Sequence, residues 1–171
     1  EKKLSNLEFQ REIDLRDKEK LNEIFKKYKF DWVLHFAWLK AVGESCEKPL
    51  HYFDNNVVGS LRLFELMQEY SVKNIIFSSS ATVYNFDNEI PYVETQNIWE
   101  TTNTYATTKF LFENILNDLS KFSKFNVINL RYFNPIWAHI SWLIWEDPEW
   151  LPNNLSPFIM KVASWELPYL N

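Results

Sequence analysis

Asn74-Ile75-Ile76-Phe77-Ser78-Ser79-Ser80 is a short apolar run that turns to hydroxyls at its carboxyl end. Such a run reads as a buried strand of a parallel sheet, where neither face alternates with solvent. Two other stretches share its texture: Val33-Leu34-His35-Phe36-Ala37 before it and Asn126-Val127-Ile128-Asn129-Leu130-Arg131 after it. The intervening segments have helical period. Asp17 is placed to cap a helix reaching about Tyr28, with Leu21, Ile24, Phe25 and Tyr28 at i, i+3, i+4 and i+7. Pro49 suits the first turn of a second helix, running to Tyr70 with Val57, Leu61 and Phe64 on its buried side. A third helix is expected from Tyr105 to Phe122, turning Phe112, Ile115, Leu116 and Leu119 to the core, and a fourth from Leu155 to Ser164. Alternating strands and helices predict an α/β fold, a doubly wound parallel sheet with helices on both faces.

Ligands of such folds bind beyond the carboxyl ends of the strands. Ala37, Ser80 and Asn134 all fall at or just past expected strand ends, and so form a rim at one sheet edge. Tyr105-Ala106-Thr107-Thr108-Lys109 opens the helix that follows Ser80. A tyrosine and a lysine four apart share one helix face. A nearby ammonium eases ionisation of a phenol. A serine hydroxyl at a strand end can then relay a proton between that phenol and a substrate hydroxyl. This chemistry suits oxidation of a sugar alcohol by a nicotinamide cofactor, with Tyr105, Lys109 and Ser80 as the catalytic candidates.

Composition narrows the class. The chain has 171 residues, enough for one domain with a real core, and 46% are hydrophobic. A net charge of -5 argues against nucleic-acid binding, which needs a basic face. The single cysteine, Cys46, has no internal partner, which points to a reducing cytoplasm; it is expected to be a small buried or loop residue. No apolar run approaches the ~20 residues of a membrane span, and the first residues do not open a signal peptide. His35 reads as a core histidine, and His51 and His139 are too isolated to suggest a metal.

The chain resembles the UDP-glucose (UDP-galactose) 4-epimerase family of extended short-chain dehydrogenase/reductases. The resemblance is carried by His35-Phe36-Ala37-Trp38-Leu39-Lys40-Ala41-Val42-Gly43-Glu44-Ser45, Asp54-Asn55-Asn56-Val57, Phe77 to Tyr84, Tyr105 with Lys109, Arg131-Tyr132-Phe133-Asn134-Pro135, and Pro152-Asn153-Asn154-Leu155, in that order. It implies a Rossmann-like sheet truncated at both ends. Residues 1–134 would be an NAD-binding domain lacking its first βα unit, since Gly43 and Gly59 cannot make a glycine-rich phosphate loop. Residues 135–171 would begin a substrate-binding region. The implied activity interconverts UDP-glucose and UDP-galactose through a 4-keto sugar, with NAD recycled. By the resemblance Tyr105 is the base, Lys109 holds the cofactor ribose and lowers the tyrosine pKa, and Ser80 passes the proton. Cofactor contacts carry over to Asp14, Leu15, Phe36, Ala37, Trp38, Lys40, Asn55 and Phe133, besides the three catalytic residues. Sugar-nucleotide contacts carry over to Ser80, Tyr105, Asn134, Asn154 and Leu155, with Tyr132 as a further candidate. A homodimer through the 49–70 and 105–122 helices is also implied, and no membrane or nucleic-acid partner. Other readings are a related NAD-dependent nucleotide-sugar epimerase or dehydratase, a non-catalytic NAD-binding scaffold, or an inactive fragment. Ser80-Ala81-Thr82 offers no carboxylate of the kind a dehydratase uses to eliminate water.

One count is abnormal. The chain has 2 glycines and 8 tryptophans, whereas an average share of ~7% predicts roughly a dozen glycines. Trp38, Trp99, Trp137, Trp142, Trp145, Trp150 and Trp165 fall where the family commonly has glycine; Trp32 does not clearly do so. The expectation is a gene whose UGA codons mean glycine, printed under a table that reads them as tryptophan. An aromatic sugar-stacking surface is the alternative.

Overall fold

The computed structural model describes residues 13–98, 100–135 and 155–169. They fall into two compact units that divide between Arg131 and Tyr132. The first holds a three-stranded sheet, β1 (Trp32–His35), β2 (Asn74–Ser80) and β3 (Asn126–Tyr132), in the order β1-β2-β3. β1 and β2 run parallel, with Trp32 opposite Asn74 and His35 opposite Phe77. β3 starts beside the start of β2, where Asn126 N–H donates to the Lys73 carbonyl at 2.8 Å.

Helix α1 (Lys18–Lys27) starts where expected: Asp17 Oδ1 accepts from Lys20 N–H at 3.1 Å, satisfying one orphan donor of the first turn. Its Leu21 and Phe25 enter a core shared with Leu63, Phe64, Leu66, Met67, Val72, Ile75, Phe77, Phe112 and Leu116. Short helix α2 (Val42–Glu47) follows the loop after β1. Cys46 on it is exposed, so the expectation of a buried or loop position is corrected; it is Ser45 that faces inward.

The expected helix from Pro49 to Tyr70 is interrupted. It comprises α3 (Pro49–Tyr52), a widened π-helical stretch over Phe53–Val58, and α4 (Gly59–Glu69). An extra residue in a turn rotates every later side chain. Gly59, Ser60, Leu63, Phe64, Leu66 and Met67 therefore point inward, whereas Leu61 is 37% exposed, contrary to the expectation that it is buried. Gly59 touches the chain leading into α1: an added Cβ would lie 3.3 Å from Leu15 Cβ. The long helix α5 (Thr104–Ser123) has Asn103 as its cap, with Asn103 Oδ1 accepting from Ala106 N–H at 2.8 Å. Phe112 and Leu116 are buried in the core, and Ile115 and Leu119 pack against it, as the period predicts.

In the second unit, helix α6 (Leu155–Ala163) matches the expected 155–164 segment. Among the described residues no helix is long and apolar enough to cross a membrane.

Candidate active site

Ser80 is the last residue of β2, and a 3₁₀ turn (Ala81–Val83) follows it at once. The turn folds Thr82 back: its N–H and its hydroxyl both point to Ser80 Oγ, at 3.3 and 3.0 Å. A hydroxyl has two acceptor lone pairs and one proton. With both lone pairs engaged, the Ser80 proton is left to donate, and the hydroxyl lies near enough to the Tyr105 phenol to favour its ionised form. The end of β2 and the start of α5 thus bring the Ser80 hydroxyl and the Tyr105 phenol together.

Tyr105 is held in the first turn of α5 from a third direction. Its N–H, unpaired within the helix, donates to Ser45 Oγ at 3.1 Å, and Ser45 Oγ–H donates to the Val42 carbonyl at 2.6 Å. Burial raises the phenol above its usual pKa, while the neighbouring Ser80 hydroxyl pulls it down.

Lys109, one turn further on, is 2% exposed. Its Nζ donates to the Ser78 carbonyl. The ammonium also lies 4.2 Å from the Trp38 ring centroid, 4.7 Å from Phe77 and 5.8 Å from Tyr105. Burial among these rings drops the lysine to about 7, with Glu113 opposing. The expectation that Lys109 lowers the Tyr105 pKa needs correction. In this structure the lysine is itself the perturbed group, and its head faces a backbone carbonyl. The lysine shares the helix face with the phenol without reaching its oxygen.

Two groups that hold the site went unnoticed in the sequence. Glu113, four residues after Lys109 and 3% exposed, accepts from Ser79 Oγ, beside Ser80. It also accepts from Arg131 Nε and Nη2, at 3.0 and 2.7 Å. Arg131 Nη1 donates to the Glu94 carbonyl at 3.1 Å, and the guanidinium lies 4.9 Å from the Tyr84 ring centroid. One buried carboxylate thereby ties together β2, β3 and α5. The i, i+4 spacing from Lys109 was the available signal. The second group is Asn56, fully buried in the π-helical stretch. Its side-chain amide clamps Leu39, accepting from N–H at 2.9 Å and donating to C=O at 3.1 Å. Asn56 therefore fixes the loop after β1.

The other candidates are distributed as follows. Phe36, Ala37 and Lys40 lie exposed on that loop, and Trp38 is partly buried. Asn55 Nδ2 donates to Asn56 Oδ1 at 3.0 Å, so it sits beside the clamp. Asp14 pairs with Arg16, which also reaches Asp54, the neighbour of Asn55; the guanidinium holds the Asp14 carboxyl down to about 2. Leu15 packs against the core. Phe133 and Asn134 follow β3 and are exposed, Tyr132 ends that strand, and Leu155 is the first residue of α6. Asn154 lies outside the described residues. His35 is the core histidine expected, 3% exposed. Ser60 Oγ donates to the Asn56 carbonyl at 2.7 Å, so His35 Nε2–H donates to Ser60 Oγ, also at 2.7 Å. Desolvation, helped by the Lys109 charge, lowers His35 to about 4. Among the described residues no group of three or more His, Cys, Asp or Glu could hold a metal ion. A concavity of about 700 Å³ lies at the opposite end of the sheet, by Asp31, Asn74 and Asn126, and none of the candidates lines it.

A model of the NAD dependent epimerase/dehydratase family matches residues 2–164. The chain is 50% identical over 160 residues to UDP-glucose 4-epimerase 2 of Arabidopsis thaliana, covering 93% of this chain and 45% of that protein. It is 51% identical over 159 residues to a UDP-glucose 4-epimerase of Neisseria meningitidis serogroup A, covering 92% of this chain and 47% of that protein. Among solved structures, the UDP-glucose 4-epimerase of Bifidobacterium longum in complex with NAD+ and UDP superposes with a TM-score of 0.84 at 46% identity, covering 91% of this chain and 47% of that chain. The chain thus spans about half the length of the curated relatives it matches.

Proposed function

The chain belongs to the NAD dependent epimerase/dehydratase family, and from this we propose that it supplies the catalytic half of an enzyme interconverting UDP-glucose and UDP-galactose. The observation that carries the reading is the Ser80 hydroxyl at the end of β2, its lone pairs taken by Thr82, set beside the Tyr105 phenol with Lys109 one turn further along α5. Bound NAD, held by Ser80, Tyr105 and Lys109 among others, would supply the acceptor for the C4 hydride and the donor that returns it to the opposite face. The chain's own residues handle the proton. For this Tyr105 must be ionised, a form that burial opposes and the Ser80 hydroxyl favours; it then takes the proton of the 4-hydroxyl as the C4–H bond breaks, leaving a 4-keto sugar. Ser80 donates to whichever oxygen carries the charge, the phenolate or the sugar oxygen. After the ketone turns over, Tyr105 returns the proton to O4. Starting charge and proton count are restored, so no cofactor is consumed.

The donor set suits a dinucleotide in part. Ser80, Tyr105 and Lys109 offer the hydroxyl and ammonium groups that hold a ribose and a carbonyl. Phe36, Ala37, Lys40, Asn55, Asp14, Leu15 and Phe133 are proposed cofactor contacts, and Asn134, Asn154 and Leu155 sugar-nucleotide contacts. The indole at position 38 does not suit it, because it lies over Lys109 with its Nε1 buried and unpartnered. We assign residues 1–134 to the cofactor domain and 135–171 to the start of the substrate region. A homodimer through the 49–70 and 105–122 helices is part of the same proposal. The test is an assay of the whole gene product with UDP-glucose. Formation of UDP-galactose without net nicotinamide reduction supports the reading. A 4-keto-6-deoxy product, or none, refutes it.

A further inference from the structure

We infer that the native polypeptide carries glycine at positions 38 and 165, where the sequence prints tryptophan, and that glycine at 38 opens the compartment over Lys109. Two unrelated places in the fold each show a fault that glycine removes.

Position 165 closes α6. Trp165 N–H donates to the Val162 carbonyl at 3.1 Å and Glu166 N–H to the Lys161 carbonyl at 2.9 Å. These two bonds define the helix stop whose middle residue must be left-handed, a place usually held by glycine. Trp165 has φ 64°. A Cβ crowds the following carbonyl in that region. The indole is 90% exposed, so no packing offsets the strain. Ser71, Glu100 and Lys124 also have positive φ, but they carry short or unbranched polar side chains. Trp165 is the bulky aromatic among them.

Position 38 shows a packing fault. The residue follows the end of β1, where backbone rather than side chain should line a ligand's path. The indole instead wedges between Phe112, at 4.8 Å between ring centroids, Phe77 at 5.3 Å and His35 at 5.6 Å. It covers the Lys109 ammonium. Its Nε1–H is buried without an acceptor, which few native donors are. The loop cannot swing away to relieve this, because Asn56 clamps both backbone groups of Leu39 next door. Glycine at 38 removes the orphaned donor and uncovers the lysine.

One substitution thus cures a backbone fault in one unit and a buried polar fault in the other. It is also the substitution that the composition asks for, with 2 glycines against 8 tryptophans. UGA means tryptophan under some genetic codes and glycine under others, so a single misread codon explains both positions. Trp32 shows neither fault, since it lies in β1 opposite Asn74, and the inference does not extend to it.

The test is mass spectrometry of proteolytic peptides from the native protein. Peptides spanning 38 and 165 are expected at the glycine mass. Tryptophan masses at both positions overturn the inference. A second measurement takes the recombinant whole protein with glycine at 165 and either glycine or tryptophan at 38, and titrates NAD by calorimetry. The tryptophan form is expected to bind about tenfold or more weakly. Equal affinity overturns the claim about the compartment. The gating claim rests on the proposed function, whereas the peptide masses do not. Glycine masses with no epimerase activity therefore sink the function alone.

Discussion

Glu113→Leu is expected to destabilise the protein by roughly 3 to 4 kcal/mol. The carboxylate is 3% exposed and takes two bonds from Arg131, whose side chain is only 17% exposed. Removing one partner of a buried ion pair costs about 3–5 kcal/mol, because the other charge stays buried. Arg131 keeps the Glu94 carbonyl and the Tyr84 face, which places the loss at the lower end. The Ser79 hydroxyl loses its acceptor as well, adding about 1 kcal/mol. Urea unfolding of the whole protein measures the effect as a shift of the midpoint at constant slope. The double variant Glu113→Leu with Arg131→Met removes both charges and is expected to recover at least about half of the loss. A single variant within about 1 kcal/mol of the unaltered protein, or a double variant no better than the single, refutes the view that this carboxylate ties β2, β3 and α5 together.

Stability is expected to fall as pH drops from 7 to 5. Burial pushes His35 down to about 4 in the folded protein from the ordinary imidazole value of 6.5, so the unfolded chain binds more protons in that window. The contribution lost by pH 5 is about 2 kcal/mol, readable from urea midpoints at the two pH values and absent in His35→Asn. Lys109 acts in a higher window. Its folded value of about 7 lies below the ordinary lysine value of 10.5, so stability rises with pH between them. Lys109→Met removes that rise and leaves the fold at least as stable at pH 7, while cofactor affinity measured by calorimetry falls. Asn103→Ala removes the cap of α5 and costs about 1 kcal/mol by thermal or urea unfolding.

The parts of the fold governed by local pattern were legible in the sequence. The Asp17 cap, the apolar strands and the stripe on α5 each depend on neighbours within one or two turns. Leu61 was misplaced because the widened turn at Phe53–Val58 answers to a distant need, the clamp of Asn56 on Leu39. Glu113 was missed for a similar reason, since a carboxylate can be buried only once Arg131 arrives from another strand. The spacing of Tyr105 and Lys109 correctly put both on one face. It said nothing of where the ammonium would turn, and the competing acceptor is a backbone carbonyl that no side-chain pattern reveals. Ser80 was readable from its place at a strand end, but the turn that spends its lone pairs on Thr82 was not.

The most direct test of the chemistry is Tyr105→Phe in the whole protein with glycine at 38. The ring and its packing are kept, and only the phenolic oxygen that Ser80 faces is lost. The rate of UDP-glucose to UDP-galactose conversion is expected to fall by about 10²–10⁴-fold with the unfolding midpoint unchanged. An undiminished rate would show that another group carries the proton.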